Sequence, residues 1–278
     1  METPRVVTPL PDCWVVGHGL LGQSLAENLR RDGAQALTLD AAAPSDVEGD
    51  AAEEPVLRRA LSLLVPQVVY CCQATGGGDA AAYRRTYAEV VAALQTAVPA
   101  ARLVFCSSVS VYGAARGVVT EETVPIEPSE RARVLLETER AVLARGGVVL
   151  RLSPLYSERR CEVLRRHLAG DACLPGSGKR MLNYLSVEDA LSALRLVTQA
   201  PSACYNVSGE CMSRDDVYAM LAAVTGVSPA AECAPVSRRG LSDRSVDCSR
   251  LRSLGWSPQM TLRRFAEQCY LSFLPDAS

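Results

Sequence analysis

Five short apolar runs alternating with longer stretches of helical period constrain this chain more than any other feature. The runs fall at residues 13–16, 36–39, 67–72, 102–106 and 148–152. Between them lie residues 20–31, 53–64, 79–97 and 130–144, where apolar side chains recur every three or four positions. A strand apolar at nearly every position is buried on both faces, as in a parallel sheet with helices on each side. The pattern predicts an α/β fold, a doubly wound parallel sheet of the Rossmann kind, with a smaller mixed α/β lobe for substrate. Residues 1–155 read as the dinucleotide-binding domain, with 185–203 returning to it. Residues 156–184 and 204–278 read as the substrate lobe, because Ser153-Pro154 breaks the alternation.

The first run leads directly into Gly17-His18-Gly19-Leu20-Leu21-Gly22, a G-x-G-x-x-G turn opening an amphipathic helix. Gly17 permits the tight turn, Gly19 lets backbone approach a pyrophosphate, and Gly22 allows helix to pack on strand. The N-H groups that open a helix then meet the anion. Asp40 ends the second strand, where a carboxylate can hydrogen-bond a ribose diol. That carboxylate would repel a 2′-phosphate, and no Arg follows it until Arg58, so NAD is favoured over NADP.

Charge excludes other classes. Lys and Arg total 29 against 31 Asp and Glu, a net charge of -2, which leaves no basic field for nucleic acid. No apolar run is long enough to span a bilayer, since Pro66 and Gln67 interrupt the best one. Residues 1–11 carry three prolines and no apolar signal core, so a cytoplasmic location is expected. The eleven cysteines include no Cys-x-x-Cys, and the two histidines sit apart from any cysteine pair. They read as buried thiols of a reducing compartment, with no metal expected.

These residues, with several later segments, resemble the NAD-dependent epimerase/dehydratase group of extended short-chain dehydrogenase/reductases, and most of all its atypical YeeZ-like members. The match runs through Glu48-Gly49-Asp50, the segment Val104 to Gly113 with Ser107-Ser108 and Val111-Tyr112, and Leu150-Arg151 with Tyr156. It continues through Val187-Glu188-Asp189-Ala190, Tyr205-Asn206-Val207 and Leu254-Gly255-Trp256. The resemblance implies an oxidoreductase, epimerase or dehydratase using NAD on a small polar substrate, and a homodimer through the long helices after strands four and five. It places Asp50 against the adenine, with Cys72, Gln73 and Ser107 completing the cofactor cradle, and Ser108 at the substrate. Asn183 is assigned to substrate binding, together with Arg180 and Arg239; Tyr112 reads as a packing residue rather than an acid, or leans into the cleft as a further substrate contact.

Family catalysis needs a Tyr and, four residues later, a Lys. The equivalent positions hold Arg131 and Leu135; no Tyr or Lys occurs between Gly113 and Pro154, and Lys179 is the only lysine of the chain. Arg131 serves as a cation near the ribose or substrate, or is a solvated helix residue; an Arg stays protonated and cannot shuttle protons near neutral pH. Tyr156 is the candidate replacement acid. Lys179, Arg180, Arg238, Arg239 and Arg244 suggest an anionic substrate, a sugar nucleotide or a carboxylated metabolite, against the plainer reading of scattered loop charges. A catalytically silent, dinucleotide-binding regulator or partner protein is the alternative that the missing pair motivates.

Overall fold

The structure, a computed structural model, describes residues 10–42, 44–170, 178–228 and 243–274. In chain order the first elements are β1 (Cys13–Val16), α1 (Leu20–Arg31), β2 (Ala36–Asp40), β3 (Val47–Glu48), α2 (Glu54–Leu63) and β4 (Val68–Cys71). Next come α3 (Ala80–Tyr83), a π-helical turn (Arg84–Glu89), α4 (Val90–Ala97), β5 (Arg102–Ser108), β6 (Arg116–Val119), α5 (Glu130–Leu143) and β7 (Val148–Leu152). The rest comprises β8 (Leu155–Tyr156), α6 (Glu162–Leu168), β9 (Met181–Ser186), α7 (Val187–Val197), β10 (Cys204–Val207) and β11 (Glu210–Ser213). The last are α8 (Arg214–Thr225), β12 (Asp243–Val246), α9 (Ser249–Arg252) and α10 (Leu262–Cys269).

Seven strands form one sheet in the order β10-β7-β5-β4-β1-β2-β3. The β1–β2, β1–β4, β2–β3 and β4–β5 pairs are parallel. The chain winds outward from β1 in one direction and from β4 in the other. That reversal opens a crevice at the carboxyl ends of β1 and β4, where doubly wound sheets bind ligands. Every residue of β1 and of β4 is buried, which is why these strands carry unbroken apolar runs.

The chain divides into two compact units. Unit 1 comprises residues 1–106 and 137–149. Its core gathers Trp14, Leu25, Leu39, Leu57, Tyr70, Leu94 and Phe105, all essentially without solvent exposure. The Trp14 ring nitrogen donates to the Leu64 carbonyl at 3.0 Å, so the one polar atom of that side chain is satisfied. Unit 2 comprises residues 107–136 and 150–278. It holds a three-stranded sheet, β11-β9-β8, and a parallel pair, β12-β6. Its apolar core joins Tyr156, Leu164, Val217, Leu221, Leu262 and Phe265. Tyr156 and Phe265 meet edge to face at 5.0 Å between centroids.

One local expectation is corrected: residues 79–97 do not form one α-helix, because a π-helical turn interrupts it at Arg84–Glu89. The 204–207 strand also joins the seven-stranded sheet as its edge.

Candidate functional site

In unit 1 the glycine turn is built by backbone fit. Gly17 has φ of 92°, a region that L side chains rarely adopt, and a β-carbon there would overlap the Gln73 backbone. A β-carbon on Gly22 would overlap the Gly17 carbonyl oxygen, so this glycine lets α1 sit on the turn. At Gly19 a β-carbon would meet nothing within 4 Å. The space over Gly19 is therefore open, and Gly19 caps α1 with no side-chain hydrogen bond. A helix opening with uncapped N-H groups beneath open space suits a pyrophosphate. Leu21 is buried and Leu20 half-buried, so their side chains anchor the helix while their backbone N-H groups open it.

Asp40 holds the turn from below. Its carboxylate accepts the His18 N-H at 2.6 Å and the Ala42 N-H at 2.7 Å. The His18 ring is bonded through Nδ1 to the Pro44 carbonyl, so it lies along the loop after β2. Asp50 accepts the Ala52 N-H at 2.8 Å and is paired with the Arg85 guanidinium at 2.8 Å. Arg85 falls in the segment Tyr83-Arg84-Arg85-Thr86-Tyr87, which resembles the YeeZ-like members without a role attached; it belongs to the π-helical turn. Gln73 donates to the Thr86 carbonyl at 3.1 Å, also in that turn, while its buried Oε1 has no partner. An orphan acceptor beside Gly17 is a place for a cofactor hydroxyl or amide donor. These features fit a dinucleotide.

Unit 2 carries the substrate-side candidates, and it brings some together. Ser108 closes β5 half-buried, its hydroxyl accepting the Ser110 N-H at 3.1 Å. Ser107, before it, is buried. Tyr112 is fully buried, donates to the Asn206 side-chain oxygen at 2.7 Å and accepts from Arg151 at 3.1 Å. Burial pushes its phenol up, against the lowering influence of Arg151. Tyr112 is thus the hub of an internal network rather than a surface that a substrate can touch. Asn206 extends that network: its N-H donates to the Glu121 carboxylate at 2.7 Å and its amide to the Asp247 carbonyl at 3.0 Å.

Asn183 staples β9 to β12, donating to the Arg244 carbonyl at 2.8 Å and accepting the Val246 N-H at 3.0 Å. The Tyr156 hydroxyl donates to the Met260 carbonyl at 2.9 Å. Burial, then the charges of Glu210 and Asp189, push its phenol well up, so its proton is firmly held. Arg131 is exposed on the first turn of α5, and Leu135 is buried. Arg180 is half-buried; desolvation lowers its guanidinium from the usual value despite Tyr184 and Asp243 nearby. Arg238 and Arg239 lie outside the described residues.

The most telling group is Arg244, which the sequence offers with Lys179, Arg180, Arg238 and Arg239 either as an anion-binding group or as scattered loop charges. It is 4% exposed, its guanidinium carbon lies 5.8 Å from the Tyr112 ring centroid, and Nη1 has no hydrogen-bond partner. Arg151 lies over the same ring at 5.0 Å. No carboxylate pairs with Arg244 among the described residues. A legible signal existed: Arg244, Val246 and Cys248 alternate in β12 and just beyond, and the latter two are buried.

Among the described residues no group of three or more His, Cys, Asp or Glu could hold a metal ion, and no helix is long and apolar enough to cross a membrane. Residues 13–208 match the family described as NAD dependent epimerase/dehydratase. The protein YeeZ of Escherichia coli K12 is 31% identical over 196 residues, 66% of this chain and 67% of YeeZ. Among solved structures, MoeE5 in complex with UDP-glucose and NAD is similar at TM-score 0.80 and 25% identity, over 94% of this chain and 98% of MoeE5. The UDP-glucose 4-epimerase of Thermotoga maritima, with UDP-glucose, gives 0.79 and 18% over the same shares.

Proposed function

The chain belongs to the NAD-dependent epimerase/dehydratase family, and from that premise we propose that it binds NAD in unit 1 and acts on an anionic, sugar-nucleotide-like substrate recognised in unit 2. One observation carries the substrate class: Arg244 is a buried guanidinium with an empty donor and no carboxylate paired with it among the described residues. A buried unpaired cation is costly, by several kcal/mol even after relaxation. A diphosphate or carboxylate that supplies the missing charge and accepts at Nη1 offsets that cost and gains a charge-assisted hydrogen bond. Arg180, partly desolvated on β9's approach, is a second donor for the same anion. MoeE5, similar to this chain and solved in complex with UDP-glucose and NAD, supports both halves of the reading.

NAD, held at the glycine turn and Asp40, would supply the hydride chemistry that an epimerisation or dehydration needs. The chain's own residues bind and orient. Uncapped N-H groups at the start of α1 hold the pyrophosphate, and Asp40 both fixes the His18 N-H and offers a carboxylate to a ribose diol. The Ser108 hydroxyl, already accepting from Ser110, retains its own proton to donate to a substrate oxygen. With Arg131 and Leu135 standing where the family uses Tyr and Lys, no side chain of α5 lowers a substrate hydroxyl's pKa. The expected consequence is slow turnover, with the substrate proton leaving to water or to a group outside α5.

The second reading, a dinucleotide-binding protein that performs no turnover, draws on the same pair of positions. Incubating the protein with NAD and UDP-glucose, UDP-glucuronic acid or dTDP-glucose, and following the sugars by NMR, separates the two. Epimerised, oxidised or dehydrated sugar that disappears in Ser108→Ala supports the enzyme. Bound but unchanged sugar across all three supports the silent reading, and no binding of any of them overturns the substrate class.

A further inference from the structure

The carboxyl ends of β4 and β5 set two thiols side by side that the proposed reaction does not use. Cys71 pairs with Phe105 in the parallel register, so the following residues, Cys72 and Cys106, come opposite each other. Their sulfurs stand 3.8 Å apart. Adjacent strands keep such residues about 4.8 Å apart, inside the roughly 4.4–6.8 Å that bridged cysteines span between α-carbons. Cys72 is buried and Cys106 half-buried, so a small oxidant reaches Cys106 first. The Cys106 sulfur beside it, together with burial, keeps Cys72 protonated and quiet until its neighbour has been oxidised. Cys71 and Cys13 are buried too, with no sulfur contact of this kind, and remain ordinary core thiols.

The pair also touches the cofactor turn. The Cys72 N-H donates to the Val16 carbonyl at 2.7 Å, and the Gly17 α-carbon lies against the Cys72–Gln73 backbone so closely that no β-carbon fits. Whatever moves residues 72–73 therefore moves the turn.

We propose that Cys72 and Cys106 form a reversible, hydroperoxide-responsive dithiol whose oxidation to a disulfide weakens dinucleotide binding at the adjoining glycine turn; the second half rests on the cofactor reading above. The Cys106 sulfur attacks the O–O bond of hydrogen peroxide and becomes a sulfenic acid, and the thiol proton leaves with the displaced hydroxide as water. The Cys72 sulfur then attacks the Cys106 sulfur; the S–O bond breaks, and that hydroxide takes the Cys72 proton as a second water. Two thiols are oxidised and one peroxide is reduced to two waters. Closing the sulfurs from 3.8 Å to about 2.0 Å draws residues 72–73 toward β5 and away from Gly17.

The test uses the full, reduced chain treated with a slight excess of hydrogen peroxide, alkylated, and mapped as non-reduced peptides, with a parallel calorimetric titration by NAD. The expected product is a Cys72–Cys106 linked peptide, at least tenfold weaker NAD binding, and recovery of both with dithiothreitol. Cys106→Ser should bind NAD as the wild type does and ignore peroxide. Cys106 found as sulfinic acid or linked to another cysteine overturns the proposal, as does a Cys72–Cys106 disulfide that leaves NAD affinity unchanged. A reduced protein that binds no NAD overturns the cofactor reading and the regulatory half with it. The peptide map needs no NAD and still accepts or rejects the dithiol.

Discussion

Around the glycine turn of unit 1 the polar groups are backbone N-H donors and a carboxylate that organises them, with open space above Gly19. Around Tyr112 in unit 2 they are guanidiniums packed over an aromatic ring, and Arg244 is buried with a donor unspent. The first region is preorganised by glycines and leaves the opening N-H groups of α1 and one acceptor on Gln73 for a ligand. The second keeps a charge out of water that no carboxylate among the described residues pairs with. Two ways of meeting an anion thus occur in one chain, one through geometry and the other through stored charge, and they should fail differently when mutated.

The largest effect expected is for Gly22→Ala. The new methyl overlaps the Gly17 carbonyl, so α1 must move off the turn, at a cost of about 3 kcal/mol or more. Urea unfolding of the variant should show it. Tyr112→Phe comes next. It leaves the Asn206 oxygen and an Arg151 N-H without their buried partner, for a loss of about 1–3 kcal/mol read in the same way. Arg244→Met breaks the comparison if the account is wrong: removing an uncompensated buried cation should leave stability unchanged or raise it, while UDP-glucose affinity falls roughly 10- to 100-fold, the worth of a charged hydrogen bond. A clear loss of stability would make Arg244 a structural residue.

Much of unit 1 was legible because each strand is one apolar run and each helix one amphipathic face. β1, α1, β4 and β7 fall where the pattern puts them, give or take a residue. Unit 2 was less so, for physical reasons. β6 and β12 pair across more than a hundred residues with Arg, Gly, Asp and Ser among their eight positions, so neither has a local apolar signature. β3 has two residues and β8 two, too short for any period. Tyr112 is buried as its packing reading has it, and the polar atoms of Tyr112 and Asn183 are hydrogen-bonded inside the fold; a motif gives residue identity without saying where the polar atoms point. The Cys72–Cys106 contact follows from register alone, which no single strand reveals.

The smallest effect concerns acid. Burial opposes it, but the Thr38 N-H and hydroxyl, with Arg30, hold the Asp46 carboxyl below its usual value. Because the folded value is the lower one, the stabilisation is complete above roughly pH 4 and fades as the pH falls through the depressed value. Asp46→Asn should lower the unfolding midpoint slightly at neutral pH and flatten its acid limb, so that variant and wild type converge as the pH falls.

The most direct measurement is a paired calorimetric titration, with NAD and with UDP-glucose, of the wild type, Gly19→Ala and Arg244→Met. A β-carbon at Gly19 meets no protein atom within 4 Å, so that variant should fold normally yet obstruct the space over α1. The account predicts that Gly19→Ala loses NAD and keeps UDP-glucose, and that Arg244→Met does the reverse. One substitution abolishing both ligands, or neither substitution affecting either, would contradict it.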